Sequence, residues 1–215
     1  MREWREFVRG AAHAAALIED QNRWGDERTP FEYRWEHVQA TVRLALRLAE
    51  CTGADREVCE AAAWLHDVTK MYSWAHKTNH GIDGAARARE ILAQTDFAAE
   101  KIDAVADAIA KHVGLETRAP IEPLEAAVLW DADKLSKLGA TVVLHGVGAQ
   151  LAKGEKTTQA LIEGLCDETW GEGIVRCLNT APARAAGRER LAVYRAFCQQ
   201  AVRELRGEDL SPDEL

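Results

Sequence analysis

The chain lacks the cysteine pattern of a disulfide scaffold or a thiolate metal site. Its five cysteines (Cys51, Cys59, Cys166, Cys177, Cys198) are odd in number and form no CxxC pair. They are expected to be buried free thiols of a reducing compartment. Proline is scarce, at five residues, and β-branched runs and two-residue hairpin turns are few, which leaves little that reads as strand. No uninterrupted apolar run approaches a membrane span. The start, MREWREFVRGAAHAAALIEDQNRW, is too charged for a signal peptide, so a soluble cytoplasmic protein with no membrane partner is expected. Positive charge is also short: 27 Lys and Arg stand against 35 Asp and Glu, a formal net charge of -8. That argues against an extended nucleic-acid partner, which usually meets a basic face. A small anionic substrate stays open, because one pocket can be positive inside an acidic protein.

What is present is helical periodicity. The 215 residues, 47% of them hydrophobic, suffice for one well-packed domain. Trp4, Phe7, Val8, Ala11 and Ala15 make a first amphipathic helix, expected to end in the polar stretch Glu19 to Pro30. A second runs from about Glu36 to Cys51, with His37, Thr41, Leu44 and Leu48 on one face and Gly53 as its stop. Asp55 can cap a third, whose stripe Val58, Ala61, Ala62, Leu65 leads into His66-Asp67. Lys70 to Gly84 reads as a loop carrying His76 and His80, with Asp83 as the cap of the next helix. Further helices are expected at about 84–94, 97–113, 121–137, 139–152, 157–166 and 182–205. There is no internal repeat and no Gly-, Ser- or Pro-rich linker. The fold class is all-α, in a single domain.

Several of these stripes carry a polar residue that needs a partner. His37, His66-Asp67, His80, His112 and Asp131 fall on or beside apolar faces, where an unsatisfied polar group is costly. His112 continues Ile102, Val105 and Ile109; Asp131 continues Leu124 and Val128 towards Leu135. A core-facing aspartate needs a cation. Each histidine alone is more often a core residue bonded to a carbonyl, and Asp131 could pair with Lys134 or Lys137. Four separate helices each bringing a ligand to a buried side favour a metal centre instead. Nitrogen and carboxylate ligands suit iron, manganese or zinc. His13, His76 and His145 lie outside the pattern.

The order H…HD…H…H…D resembles the HD-domain metal-dependent phosphohydrolases. The strings that carry the likeness are RWEHVQATVRLALRLAE, AAAWLHDVTK, NHGIDGAARAREIL, AIAKHVG and EAAVLWDADKLSKLGA, over roughly residues 30–145. LNTAPARAAGRERLAVYRAFCQQAVREL is similar to the C-terminal helix of one bacterial and archaeal branch of uncharacterised HD proteins. The resemblance implies an HD-type helical bundle with a metal-binding core over 30–150. A helix and loop over 1–29 would pack on it, further helices over 151–207 would complete the domain, and 208–215 would fray. The chain departs from the family at HDVTK, where many members read HDIGK, and it has no GYP signature. Lys70 stands where mononuclear nucleotidases of the family carry glutamate.

The resemblance further implies that His37, His66, Asp67 and Asp131 hold a first metal. His80 and His112 would hold a second, with Asp67 bridging, so one or two divalent metals per chain are expected. Lys70 and Arg34 are expected to contact the phosphate of a small phosphorylated substrate; a nucleotide is expected, with Trp74 as the residue that could stack on its base. Asp133 could bond a ligand histidine from outside, or pair with Lys137. The expected activity is phosphoester or phosphoanhydride hydrolysis by metal-activated water. The rival readings are a phosphatase of a small non-nucleotide phosphate, a catalytically silent nucleotide- or metal-binding sensor, and oxygenase chemistry on a di-iron centre. A homodimer is a further expectation.

Overall fold

The computed structural model describes residues 2–25, 32–71, 79–117, 119–152, 154, 157–166 and 169–210. Among these are ten α-helices, one short 3-10 turn and no strand; a lone bridge joins Arg2 to Thr95. Helix α1 (Trp4–Trp24) is capped by the Glu3 carboxylate, which accepts from the Arg5 and Glu6 amides. It ends at Trp24, with Gly25 as its left-handed cap, inside the polar stretch expected to end it; Glu19 and Asp20 stay within the helix and are buried. Helix α2 (Tyr33–Thr52) stops at Gly53, whose φ of 77° is the left-handed turn that glycine takes without strain. Asp55 caps α3 (Arg56–Leu65), as its position suggested.

Helix α4 (His80–Leu92) starts four residues before the expected boundary. The Asn79 side chain accepts from the Gly81 amide, and Asp83 is not the cap. After a 3-10 turn (Ala99–Lys101) come α5 (Ile102–Lys111), α6 (Leu124–Leu135), α7 (Ala140–Ala152) and α8 (Thr158–Leu165). A short α9 (Thr169–Arg176) was not expected, and α10 (Ala181–Arg206) follows, capped by Thr180.

The centre is built from α2, α3, α5 and α6, with α4 on α5, α1 across α2 and α3, and α10 closing the far side of α6. Small side chains let the helix axes come close. Ala45, Ala61, Ala62, Ala63, Ala106, Ala108 and Ala132 are fully buried among Leu65, Ile109 and Leu129. Gly81 is a close approach to side chain and backbone: a Cβ there would lie 2.7 Å from Val113 Cγ2 and 3.0 Å from the Ala110 carbonyl oxygen. This contact sets the start of α4 on the end of α5. Helix α6 is buried on every side, from Ala126 to Leu135.

A second, smaller core gathers Leu165, Tyr194 and Cys198 with Val142, Val143, Val147 and Cys166. Here the cysteine expectation is corrected. Cys166 and Cys198 are joined as a disulfide between the end of α8 and α10, and Cys51 is exposed; Cys59 is a buried free thiol and Cys177 a half-buried one. Residues 32 apart in sequence meet only because α8 folds back on α10. No helix among the described residues is long and apolar enough to cross a membrane.

Candidate metal centre

Five helix ends converge on one point. His37 lies just past the first turn of α2, His66 and Asp67 in the turn after α3, His80 at the first position of α4, His112 just past α5, and Asp133 near the end of α6. Helix ends leave backbone carbonyls without intrahelical partners, and two histidines use them. His66 Nδ1 donates to the Ala63 carbonyl at 2.8 Å, and His112 Nδ1 to the Ile109 carbonyl at 2.6 Å. A carbonyl only accepts, so each proton sits on Nδ1 and each Nε2 keeps a bare lone pair. His37 reaches the same state by one more step. The Ser136 hydroxyl donates to the Asp133 carbonyl at 2.6 Å, so its oxygen accepts from His37 Nδ1 at 3.0 Å.

The lone pairs point inward. His37 Nε2 lies 3.3 Å from His66 Nε2 and 3.1 Å from Asp133 Oδ1. On the other side, Asp67 Oδ1 lies 3.5 Å from His80 Nε2 and 3.4 Å from His112 Nε2. Asp67 spans both groups, since its Oδ2 is 3.6 Å from His37 Nε2 and 3.4 Å from His66 Nε2. Two sets of donor atoms thus lie within 4.8 Å of one another: His37, His66 and Asp133, and Asp67, His80 and His112.

These residues fit a divalent metal. Asp67 Oδ1 and His112 Nε2 are buried with no hydrogen-bond partner, a costly state without a cation. Two imidazole lone pairs facing each other repel unless something positive lies between them. Electrostatics favour the ligand forms. Burial alone would raise the Asp67 carboxyl, but Lys70, His66 and Arg34 hold it well below the usual carboxylate range. Asp133 is likewise held down against burial by Lys134 and Lys137. Burial, aided by Lys137, pushes His37 well below the usual imidazole value; it also lowers His112 and takes His80 down to about 4. All three imidazoles are neutral at pH 7, the form a metal takes.

The structure brings together five of the six expected ligands. The sixth, Asp131, lies elsewhere. Its Oδ1 accepts from the Asn179 amide at 2.7 Å and from Asn179 Nδ2 at 3.2 Å, and its Oδ2 accepts from the Thr180 amide at 2.7 Å. It anchors the entry to α10, and burial raises its carboxyl despite those bonds. Asp133 stands in the cluster instead. Two residues apart on a helix means about 200° of rotation, so one of the pair faces α10 and the other the histidines. The stripe Leu124, Val128, Asp131, Leu135 points to a core, but α6 has core on every side.

Arg34, expected at the substrate, is buried and locked between carboxylates: Nη1 lies 2.5 Å from Asp67 Oδ2, and Nη2 donates to Glu19 Oε1 at 2.6 Å. Lys70 Nζ lies 3.0 Å from Asp67 Oδ2, with about a fifth of its side chain open (21%). Lys134, unremarked as a site residue from sequence, is almost wholly buried. It contacts Asp133 Oδ2, donates to the His112 carbonyl at 2.8 Å, and lies 4.2 Å above the Trp130 ring. Burial takes its ammonium down to about 8, against the pull of Asp133. The lysine was a readable signal, because a lysine on a largely apolar helix that is buried needs a carboxylate. Trp74 and His76 lie outside the described residues.

An all-helical bundle with two His/Asp triads at its centre defines a protein built around a candidate metal site. A model of the HD domain matches residues 34–138, so the chain carries an HD domain over the stretch that holds all six cluster residues. Solved structures share its shape. A predicted HD superfamily hydrolase from an uncultured Thermotogales bacterium has 21% identity and a TM-score of 0.61, over 90% of this chain and 92% of that one. An HD-superfamily hydrolase from Bacillus thuringiensis has 19% identity and a TM-score of 0.62, over 93% and 98%. Bacillus subtilis YpgQ in complex with ADP has 20% identity and a TM-score of 0.63, over 93% and 100%.

Proposed function

We infer that the protein is a metal-dependent phosphohydrolase that cleaves a phosphoester or phosphoanhydride, with a nucleotide as substrate. The observation that carries this is the Asp67 carboxylate, one oxygen turned to each histidine group and two cations already on Oδ2. His37, His66 and Asp133 would hold one divalent metal, and Asp67, His80 and His112 a second. Such metals supply Lewis acidity and bring the pKa of water near neutrality. The chain's own residues do the rest. Ala63, Ile109 and Ser136 orient the imidazoles, and Arg34 fixes Asp67 from behind. Lys70, the more open cation, offers positive charge to a phosphoryl group, whose transfer depends on positioning and charge neutralisation. The shared fold of YpgQ, solved with ADP, supports a nucleotide.

The test is metal content on protein purified without chelator or oxygen, followed by phosphate release from a nucleotide panel with added manganese. One or two metals per chain, and activity lost in His66→Ala and Asp67→Ala, is the expected result. A chain that stays metal-free after reconstitution overturns the reading, and a metal-loaded chain that binds nucleotides without turning them over makes it a sensor.

A further inference from the structure

Each inward carboxylate carries two cations of unlike character. On Asp67 these are Arg34, with 5% of its side chain exposed, and Lys70, with 21%. On Asp133 they are Lys134, at 2%, and Lys137, at 22%. The buried member of each pair is tied down elsewhere. Arg34 is held by both oxygens of Glu19, and Lys134 by the His112 carbonyl and the Trp130 ring. Among the described residues Lys137 has no such second anchor: its contacts are to the Oδ1 and the carbonyl oxygen of Asp133.

The oxygen that Lys137 holds is the one that matters. Asp133 Oδ1 lies 3.1 Å from His37 Nε2, so it is the carboxylate atom a cation among His37, His66 and Asp133 would use. An ammonium and a divalent cation on one oxygen repel strongly at low dielectric. Lys134 is walled in on Oδ2, so Lys137, the more exposed of the two on a flexible four-carbon stem, is the group that yields. Released from Asp133, its ammonium can pair with that of Lys70, whose charge already acts on it.

We propose that Lys137 is a substrate-binding residue: it leaves Asp133 when metal enters and, with Lys70, grips a terminal phosphoryl group. The inference rests on the phosphohydrolase reading and narrows its substrate class. Two ammonium groups, beyond the Arg34 and Lys134 cations that stay with the carboxylates, match the double charge of a phosphomonoester or of a terminal phosphate in an anhydride. A phosphodiester carries a single charge and has no terminal group to be gripped from both sides.

The experiment is calorimetric titration of wild type, Lys137→Met and Lys137→Arg, first with manganese on the metal-free protein, then with inorganic phosphate on the loaded one. Lys137→Met is expected to bind manganese several-fold more tightly, having lost a competing cation, and phosphate roughly tenfold or more weakly, the loss of one charge-assisted hydrogen bond. Lys137→Arg should restore most of the phosphate affinity. Opposite signs for the two ligands are what a merely structural lysine would not produce. Unchanged phosphate affinity in Lys137→Met, or weaker manganese binding with a lowered melting temperature, overturns the proposal and leaves Lys137 a packing partner of Asp133. A wild type that takes up no manganese overturns the hydrolase reading and this inference with it.

Discussion

Acid acts on the buried imidazoles in one direction. His37 and His112 titrate below their ordinary value when folded, whereas the unfolded chain takes up their protons near pH 6.5. Below that pH the unfolded state binds more protons, so stability is intact above about 6.5 and falls as pH drops through it. Melting of the metal-free protein from pH 8 to pH 5 should show a midpoint that declines below about 6.5; a flat profile would mean that the histidines are not buried neutral. Two aspartates two residues apart make a second prediction. Asp133→Ala should abolish binding of one metal and destabilise the fold by about 3–5 kcal/mol, because Lys134 is left buried without its carboxylate. Asp131→Ala should cost about 1–3 kcal/mol for the stranded Asn179 and Thr180 amides while leaving metal content unchanged. Metal analysis beside calorimetry separates the two. At this scale the clustered histidines and Asp67 could be named from the sequence, since most lie on or beside an apolar stripe, with His80 placed in a loop. The choice between Asp131 and Asp133 was not legible, because periodicity marks a core only when a helix has one buried side, and α6 is buried throughout. Nor did any local signal show that Arg34 faces Glu19, which lies 15 residues away.

The residues of the cluster sit at or beside helix ends, so the contact between neighbouring ends controls distances inside it. Gly81 is the hinge of that control, pressed on Val113 and the Ala110 carbonyl. Gly81→Ala should push the start of α4 outward, carry His80 away from His112, and cost about 1–3 kcal/mol as overpacking. The expected signature is a loss of one metal per chain, with His37, His66 and Asp133 still binding theirs; two metals retained at wild-type affinity would contradict it. Most helices could be read from stripes, Gly53 and the Asp55 cap. Helix α9 could not, since it has only eight residues (TWGEGIVR) and two of them are glycines. The start of α4 was misjudged because the asparagine that caps it precedes a histidine and a glycine, and glycine is a poor helix former.

Across the whole molecule, the all-α architecture and the helical core followed from patterning, whereas the pairing of Cys166 with Cys198 depends on a tertiary approach of α8 to α10 that no spacing reports. Closing a 32-residue separation is worth roughly 2–4 kcal/mol. Cys198→Ser should therefore lower the melting temperature by several degrees with metal content unchanged, as the cluster lies on other helices; a drop in bound metal would show the two regions to be coupled.

The ion pair between Glu19 and Arg34 has a practical consequence for anyone dissecting this chain. The recognisable domain starts at residue 34 and ends at 138, yet Glu19 lies ahead of it and the amides of Asn179 and Thr180 that satisfy Asp131 lie behind. A fragment cut at those limits would expose a guanidinium with one counter-charge missing at one end and strip a buried carboxylate of its donors at the other. Trimmed to its signature, the protein should fold poorly or not at all, and heteronuclear NMR of the 34–138 fragment would show it by collapsed amide dispersion.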